Sequence, residues 1–315
     1  DVNPSRGLGD VYKRQLAHLA ALKKLGDITL IDVVEGMPQG KALDLSQSSA
    51  VEGFTGKIRG TNDFSQMRNS DVIIITAGLP RQPGMSRDDL LETNGKIIKK
   101  IGLDIKKHSP KAFVICITNP LDAMVYVLQK YSKLPKNMCV GMAGVLDSSR
   151  MKFFLSEALD VSINDVETFV LGGHGDDMVP LVNYTTIGGI PLMNYIKIKK
   201  VPTSKIKKIV DRTRMGGGEI VKLLKRGSAF YAPASSAIQM AEAYLLDQKK
   251  LLPCAAFLNG QYSLKNMYMG VPTIIGSKGI EKIIEVKLSA NEKSMLKKSV
   301  KSVQGLVNAV EKILK

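Results

Sequence analysis

The chain has 315 residues, of which 44% are hydrophobic, and it carries a formal net charge of +16. This length suits two closely packed domains, and its longest apolar runs have the length of strands, which argues against a membrane span. Three cysteines without paired spacing indicate reduced thiols, a cytoplasmic location and no metal site. Since the lysines are scattered and aromatic residues make up only 5%, we expect a solvated basic surface rather than nucleic-acid binding.

Apolar strands alternate with helices in the first part of the chain. The predicted elements are strand 28–34, helix 41–50, strand 71–76, helix 88–108, strand 111–118, a helix ending at 131 and a strand around 138–142. This alternation predicts an α/β fold with a doubly wound parallel Rossmann sheet. Its active loops should lie at the carboxyl ends of the strands. We assign residues 1–143 to this nucleotide-binding domain.

The pattern changes after residue 143 and predicts a mixed α+β substrate domain over residues 144–315. The predicted elements are helix 146–159, strand 166–171, a hairpin over 179–196, helix 203–225, a helix from residue 233, antiparallel strands 251–258 and 267–275, and helix 290–314. Gly188 and Gly189 are expected at the hairpin turn. Three glycines at 216–218 should weaken the middle of helix 203–225.

His174 stands in a glycine-rich turn just after an apolar strand, 27 residues beyond Asp147. The glycines let the chain turn sharply and are expected to leave the imidazole exposed. A buried carboxylate that raises the pKa of a histidine lets it hold and release a proton near neutral pH. Reduction of a carbonyl by hydride requires such a proton donor beside the carbonyl oxygen. The alternative is that His174 is an ordinary turn residue and that Asp147 caps a helix.

Three arginines are placed to bind a substrate anion. Arg81 and Arg87 belong to a loop rich in proline and glycine that resembles a lid, and Arg150 lies one helical turn beyond Asp147. Guanidinium groups bind carboxylates in paired hydrogen bonds. We expect Arg150 to bind the C1 carboxylate, Arg87 to polarise the reacting carbonyl and Arg81 to bind a second carboxylate. Together they predict a dicarboxylic 2-keto acid, although each alone could be a surface ion pair.

A second group of residues is placed to bind a dinucleotide. Asp32 ends its strand where a doubly wound fold sets an acid against the adenosine ribose, which favours NAD over NADP. Two strand-end segments, Thr76-Ala77-Gly78 and Thr118-Asn119, supply small residues and an amide near the nicotinamide. We therefore predict NAD as the cofactor.

The first fifteen residues do not fit this prediction. A dinucleotide fold needs an apolar first strand and then Gly-x-Gly-x-x-Gly at the start of a helix. Pro4 is a poor choice for a central strand. Gly7 and Gly9 have the first spacing, but Tyr12 stands at the third position. A regular helical pattern begins only at Leu16.

From Leu16 onward the chain resembles the lactate/malate dehydrogenase family, in particular its lactate-dehydrogenase-like malate dehydrogenases. The motifs that carry the resemblance are Ile31-Asp32, Thr76-Ala77-Gly78, the loop 79–90, Ile117-Thr118-Asn119-Pro120-Leu121-Asp122, Leu146-Asp147-Ser148-Ser149-Arg150 and Gly172-Gly173-His174-Gly175-Asp176. Against this resemblance, residues 1–15 look foreign, as if the first strand and glycine-rich loop had been replaced. Leu8, Asp10 and Lys13 then stand at the three fingerprint glycines.

The resemblance implies an NAD-dependent oxidoreductase of the tricarboxylic acid cycle that interconverts (S)-malate and oxaloacetate. It implies that His174 is the proton donor and acceptor, partnered by Asp147, with Arg87 at the carbonyl. Arg81, Arg87, Asn119 and Arg150 would bind substrate. The cofactor residues would be Asp32, Thr76, Ala77, Gly78, Asn94, Ile117, Thr118 and Asn119. It further implies a homodimer or homotetramer.

Two alternatives stay open. The first is a lactate or other 2-hydroxy-acid dehydrogenase, against which Arg81 argues, because the lactate branch usually has glutamine there. The second is a nucleotide-fold protein without activity, since side chains in place of the fingerprint glycines would crowd the pyrophosphate. We expect a chain that starts this way to be unstable or to bind NAD poorly.

Overall fold

The computed structural model describes residues 9–79, 86–225 and 227–315, with the backbone alone at 9–12 and 87. The first part alternates helices and strands as predicted. Its elements are α1 (Gly9–Leu22), β1 (Ile28–Ile31), α2 (Met37–Glu52), β2 (Ile58–Thr61), β3 (Val72–Ile75), α3 (Arg87–His108), β4 (Phe113–Cys116), α4 (Leu121–Ser132) and β5 (Cys139–Gly141). Helix α1 begins seven residues before Leu16, so residues 9–15 are helical. β2 has no counterpart in the sequence prediction.

The second part is mixed, with short strands, long helices and an antiparallel ribbon. Its elements are α5 (Gly144–Leu159), β6 (Val166–Glu167), β7 (Val170–Leu171), β8 (Val179–Pro180), β9 (Thr186–Ile187), β10 (Ile190–Pro191), α6 (Leu192–Ile198), α7 (Thr203–Leu224), α8 (Tyr231–Leu245), β11 (Lys250–Asn259), β12 (Lys265–Gly276), β13 (Gly279–Ile283) and α9 (Ala290–Leu314). The predicted strand 166–171 is two strands, β6 and β7.

The predicted hairpin over 179–196 is real but much shorter than expected. β9 and β10 pair antiparallel, and Gly188 and Gly189 both have the positive φ that a tight turn requires. The second arm was predicted to run to residue 196, which is wrong, because α6 begins at Leu192. Leu192 and Ile196 are one helical turn apart, and both are buried.

The main sheet has six strands in the order β13-β12-β11-β5-β4-β3. β3, β4 and β5 are parallel, and β11 joins β5 antiparallel where Ala255 pairs with Gly141. One sheet therefore contains strands from both sides of residue 143. The division into domains at that residue stays a prediction.

Strand β4 shows why this sheet is covered on both faces. All of its residues are buried, and alternate side chains enter different cores, as the period of a strand requires. Val114 and Cys116 pack with residues of α3, α4 and α9, whereas Phe113 and Ile115 pack with α1 and α8. The α/β layering that the sequence predicted is confirmed.

Strands β1 and β2 form a separate parallel pair. In the usual doubly wound order 3-2-1-4-5-6, β2 and β1 would be the third and second strands and β3 the fourth. The place of the first strand lies between β1 and β3, and no strand of the described ranges pairs there.

Helix α1 contacts both the main sheet and the β1–β2 pair. Leu16 packs in the core on β4 and α8, while the next residue, Ala17, packs against Leu30 of β1 and Ala42 of α2. Among the described residues, this small cluster is the only one that α1 shares with β1. Helix α1 is therefore one attachment of the β1–β2 pair, and Ile31 of β1, which packs against the core on β3, β4 and α3, is another.

Candidate functional site

The turn before His174 is fixed by close backbone packing. Gly172 and Gly270 of β12 exchange both backbone hydrogen bonds, at 2.9 and 3.1 Å. Gly172 has a φ of +90°, and a Cβ there would lie 2.8 Å from Ser299 Oγ, so only glycine fits. The Gly173 N–H donates to the same hydroxyl at 2.8 Å. The glycine pair thus sets the position of His174 between the sheet and α9.

The structure pairs His174 with Asp147, as the sequence predicted. Nδ1 of the imidazole lies 2.9 Å from Oδ2 of Asp147, in the first turn of α5. The carboxylate is 2% exposed and the imidazole 15%, so the expectation of an exposed imidazole was wrong. The contact with Asp147 leaves Nε2 as the nitrogen that can exchange a proton with a substrate.

Arg150 binds the other oxygen of the same carboxylate. Its Nη1 lies 3.2 Å from Asp147 Oδ1. Its Nε is buried and has no hydrogen-bond partner within the described part of the chain. A buried guanidinium nitrogen without a partner is costly, and a substrate carboxylate would satisfy it.

The glycines of α7 make room for Arg150. A Cβ on Gly216 would lie 3.0 Å from Arg150 Cδ, and one on Gly217 would lie 3.4 Å from Nη2. No atom lies within 4 Å of a Cβ on Gly218. These glycines were expected to weaken the middle of the helix, yet α7 runs through them unbroken. Gly216 and Gly217 therefore allow α7 to approach the guanidinium group closely.

Asp122 is a further residue of the site and was not among the site residues predicted from the sequence. Its Oδ2 accepts the His174 backbone N–H at 2.9 Å, and it is 3% exposed. Burial raises its pKa to about 6. The available signal was its place in the Asn-Pro-Leu-Asp motif, at the start of a predicted helix.

The surroundings of His174 raise its pKa above the ordinary value of 6.5. Burial alone would lower the pKa, because it disfavours the imidazolium. The charge and hydrogen bond of Asp147 outweigh burial, with a smaller contribution from Asp122, while Arg150 opposes them. The imidazolium of His174 is therefore favoured more than that of a free histidine, which suits a group that acts as an acid or a base.

The carboxyl ends of β3 and β4 are joined through Asn94 of α3. Its side-chain amide donates to the carbonyls of Leu79 and Asn119, at 3.1 and 2.8 Å, and its oxygen accepts the Leu79 N–H at 2.8 Å. Thr118 Oγ1 also donates to the Ala77 carbonyl, at 2.6 Å. The predicted nicotinamide residues thus form one connected cluster.

The rest of that cluster is tightly packed. Thr76 and Ile117 are 9% and 7% exposed. A Cβ on Gly78 would lie 2.5 Å from Thr118 Cγ2, and its φ is +153°. Since Asn119 is three residues before Asp122, this cluster borders the one around His174.

Asp32 lies at the end of β1 and is 12% exposed. Its Oδ1 accepts the Val34 N–H at 3.0 Å, and its Oδ2 forms an ion pair with Lys13 of α1. The pKa of Asp32 is lowered. Burial acts to raise it, but the Lys13 and backbone hydrogen bonds outweigh burial. Asp32 is therefore ionised at neutral pH.

Both parts of the chain match profiles of one family. Residues 7–141 match the lactate/malate dehydrogenase NAD binding domain, and residues 144–314 match the lactate/malate dehydrogenase alpha/beta C-terminal domain. The chain belongs to the lactate/malate dehydrogenase family. It is an NAD-dependent oxidoreductase of this type.

Solved structures of the family divide between two substrates. Malate dehydrogenase of Cryptosporidium parvum is 51% identical, with a TM-score of 0.93 and 95% of each chain covered. Lactate dehydrogenase of the same organism, complexed with lactic acid and NAD, is 44% identical, with a TM-score of 0.92 and coverage of 95% and 94%. Lactate dehydrogenase of Eimeria maxima, with NADH and oxamate, is 47% identical, with a TM-score of 0.92 and coverage of 95% and 91%.

The residues expected at the two ends of an NAD site are compatible with that cofactor. Around Thr118 the side chains are small, whereas the Asn94 amide is already taken up by the backbone of Leu79 and Asn119. Ionised Asp32 stands at a strand end, as a ribose-binding acid should. Lys13, however, already occupies one of its oxygens.

Arg81 lies outside the described residues, as does the side chain of Arg87, whose backbone begins α3. Their predicted roles are therefore not placed by the geometry above. Within the described ranges, no group of three or more His, Cys, Asp or Glu could hold a metal ion, and no helix is long and apolar enough to cross a membrane.

Proposed function

We propose that the protein catalyses reversible hydride transfer between (S)-malate and NAD, giving oxaloacetate and NADH. The observation that carries the reaction type is the His174 Nδ1 contact to Asp147 Oδ2, at 2.9 Å, next to Arg150. It combines a proton carrier with a carboxylate binder in one buried group. We further propose that Arg87 polarises the reacting carbonyl and that the predicted strand-end residues bind the cofactor.

The chain's own residues move one proton in this reaction. When NAD is bound, it accepts the hydride from C2 of the hydroxy acid. Nε2 of His174 takes the hydroxyl proton as the C–O bond becomes a carbonyl, and Asp147 stabilises the imidazolium. Arg150 holds the C1 carboxylate, so that the hydroxyl faces His174. In the reverse direction, the imidazolium returns the proton to the forming alkoxide.

The choice of malate over lactate is supported by Arg81. A second substrate carboxylate is the natural partner for a third arginine. The 51% identity to a malate dehydrogenase also favours this choice. The second candidate is a lactate dehydrogenase, supported by similarity to two such enzymes at 44% and 47% identity.

The two candidates are separated by comparing kcat/KM for oxaloacetate and for pyruvate with NADH. We expect Arg81→Gln to lower the value for oxaloacetate about 100-fold and to raise the relative value for pyruvate. Arg68→Gln, at an exposed position, is the control and should change neither. A wild-type enzyme that prefers pyruvate would contradict the malate assignment.

We also propose a cytoplasmic enzyme of the tricarboxylic acid cycle that forms a homodimer or homotetramer. Exposed apolar side chains on α7, such as Leu223 at 74%, support self-association. Light scattering of the purified protein tests the assembly, and a monomer at micromolar concentration would contradict it. Fractionation of cells that express the tagged protein tests the location.

A further inference from the structure

Both oxygens of the Asp32 carboxylate already have partners in the structure. Oδ1 accepts the Val34 N–H, and Oδ2 is bound by Nζ of Lys13. The side chains of Lys13 and Asp32 are 22% and 12% exposed. A pair this shielded from solvent is screened less than a surface ion pair.

Lys13 is held against Asp32 by the packing of α1. Ala17 lies one helical turn beyond Lys13, on the same face, and it packs against Leu30, two residues before Asp32. Leu16 anchors the adjacent face of the helix in the main core. The ammonium group therefore reaches the end of β1 from a fixed helix.

The position of this pair matters for the cofactor. An acid at the end of this strand accepts hydrogen bonds from the adenosine ribose hydroxyls, and its negative charge repels the 2′-phosphate of NADP. A lysine bound to that acid occupies a carboxylate oxygen that would accept a ribose hydroxyl. Its positive charge also offsets the repulsion between the acid and a 2′-phosphate.

We propose that Lys13 is a cofactor-selectivity residue of this chain. The ribose of NAD(H) must displace the ammonium from Asp32, which weakens NAD(H) binding, while the same ammonium reduces the discrimination against a 2′-phosphate. This inference depends on NAD binding by the family and is independent of the choice between malate and lactate.

The test is direct titration of the full-length protein with NADH and NADPH, without substrate, followed by nucleotide fluorescence. Lys13→Met removes the charge and keeps the apolar stem. We expect it to tighten NADH binding about fivefold and to leave NADPH unchanged or weaker. Lys23→Met is the matched control, because Lys23 follows the same helix and forms an exposed pair with Glu242. It should change neither affinity.

A double-mutant cycle gives the second readout. In an Asp32→Asn background, Lys13→Met should no longer tighten NADH, because the competing ion pair has been removed. Melting curves show whether each variant is folded, and Lys13→Gln replaces Lys13→Met if the latter does not fold.

Three results would overturn the proposal. Equal weakening of NADH and NADPH by Lys13→Met would make Lys13 a phosphate-binding residue. Unchanged affinities would show that the pair does not compete with the ribose. Absence of NADH binding in both the wild type and the lysine variants would show that another feature limits binding.

Discussion

The region around His174 and the region around Asp32 differ in what holds them in place. Around His174, buried groups from α4, α5 and the turn after β7 fix one another through hydrogen bonds. Around Asp32, a two-stranded sheet stands apart from the main sheet and is attached through apolar contacts of α1 and of Ile31. The proposed proton-transfer groups therefore do not depend on the β1–β2 pair, whereas the proposed adenosine end of the cofactor site, at Asp32, does.

The strongest test of this contrast removes the proton carrier. We expect His174→Asn to reduce kcat for oxaloacetate reduction about 10³-fold while the affinity for NADH stays the same. His108→Asn is the control, because His108 is the last residue of α3, at the far end of that helix from the loop of Arg81 and Arg87. A large loss of NADH binding in His174→Asn would show that the two regions are not separable.

Removal of the partner carboxylate should have a smaller effect. Asp147→Asn deletes the charge that raises the pKa of His174, and we expect a loss in kcat of about 10²-fold. Reduction of oxaloacetate needs the imidazolium, so kcat/KM in the wild type should fall as the pH rises through the His174 pKa, above 6.5. In the variant this fall should move to lower pH. An unchanged pH profile would contradict the role of Asp147.

A third test addresses the anchoring of α1, one of the elements that attach the β1–β2 pair. Leu16 is 6% exposed in the core between α1 and the main sheet. Leu16→Ala should lower the free energy of unfolding by about 3 kcal/mol, measured by chemical denaturation. Leu22→Ala, on the same helix at 39% exposure, should cost much less. Similar losses in the two variants would contradict the anchoring of α1 in the main core through Leu16.

The smallest effect is expected at the glycines beside Arg150. Gly216→Ala places a Cβ 3.0 Å from Arg150 Cδ. The resulting shift should raise KM for oxaloacetate about threefold. Gly218→Ala gives a similar gain in helix propensity in open space, and its KM should match the wild type. If the two variants have the same KM, the space around Arg150 is not limiting.

The sequence was most informative where one local pattern decides the structure. The apolar runs that became β3 and β4, and the amphipathic pattern of α3 and α9, specify elements that tertiary contacts do not override. The pairing of His174 with Asp147 followed from a glycine-rich turn and an acid in a predicted helix.

The roles of other residues depend on contacts between distant parts of the chain, which a local pattern does not specify. Asp122 is part of the site because the turn after β7 places the His174 N–H on it. Thr168 interrupts the predicted strand 166–171, and its hydroxyl lies 2.7 Å from that of Thr185. The glycines of α7 have a purpose only once α5 lies beside them.

The side chain of Asn94 has a consequence for anyone who wishes to redesign this enzyme. A single amide serves the backbone of two neighbouring loops, at Leu79 and at Asn119. Neither loop can be exchanged for one from another protein without providing new hydrogen-bond partners for the other. Grafting experiments should therefore transfer both loops and the middle of α3 as a unit.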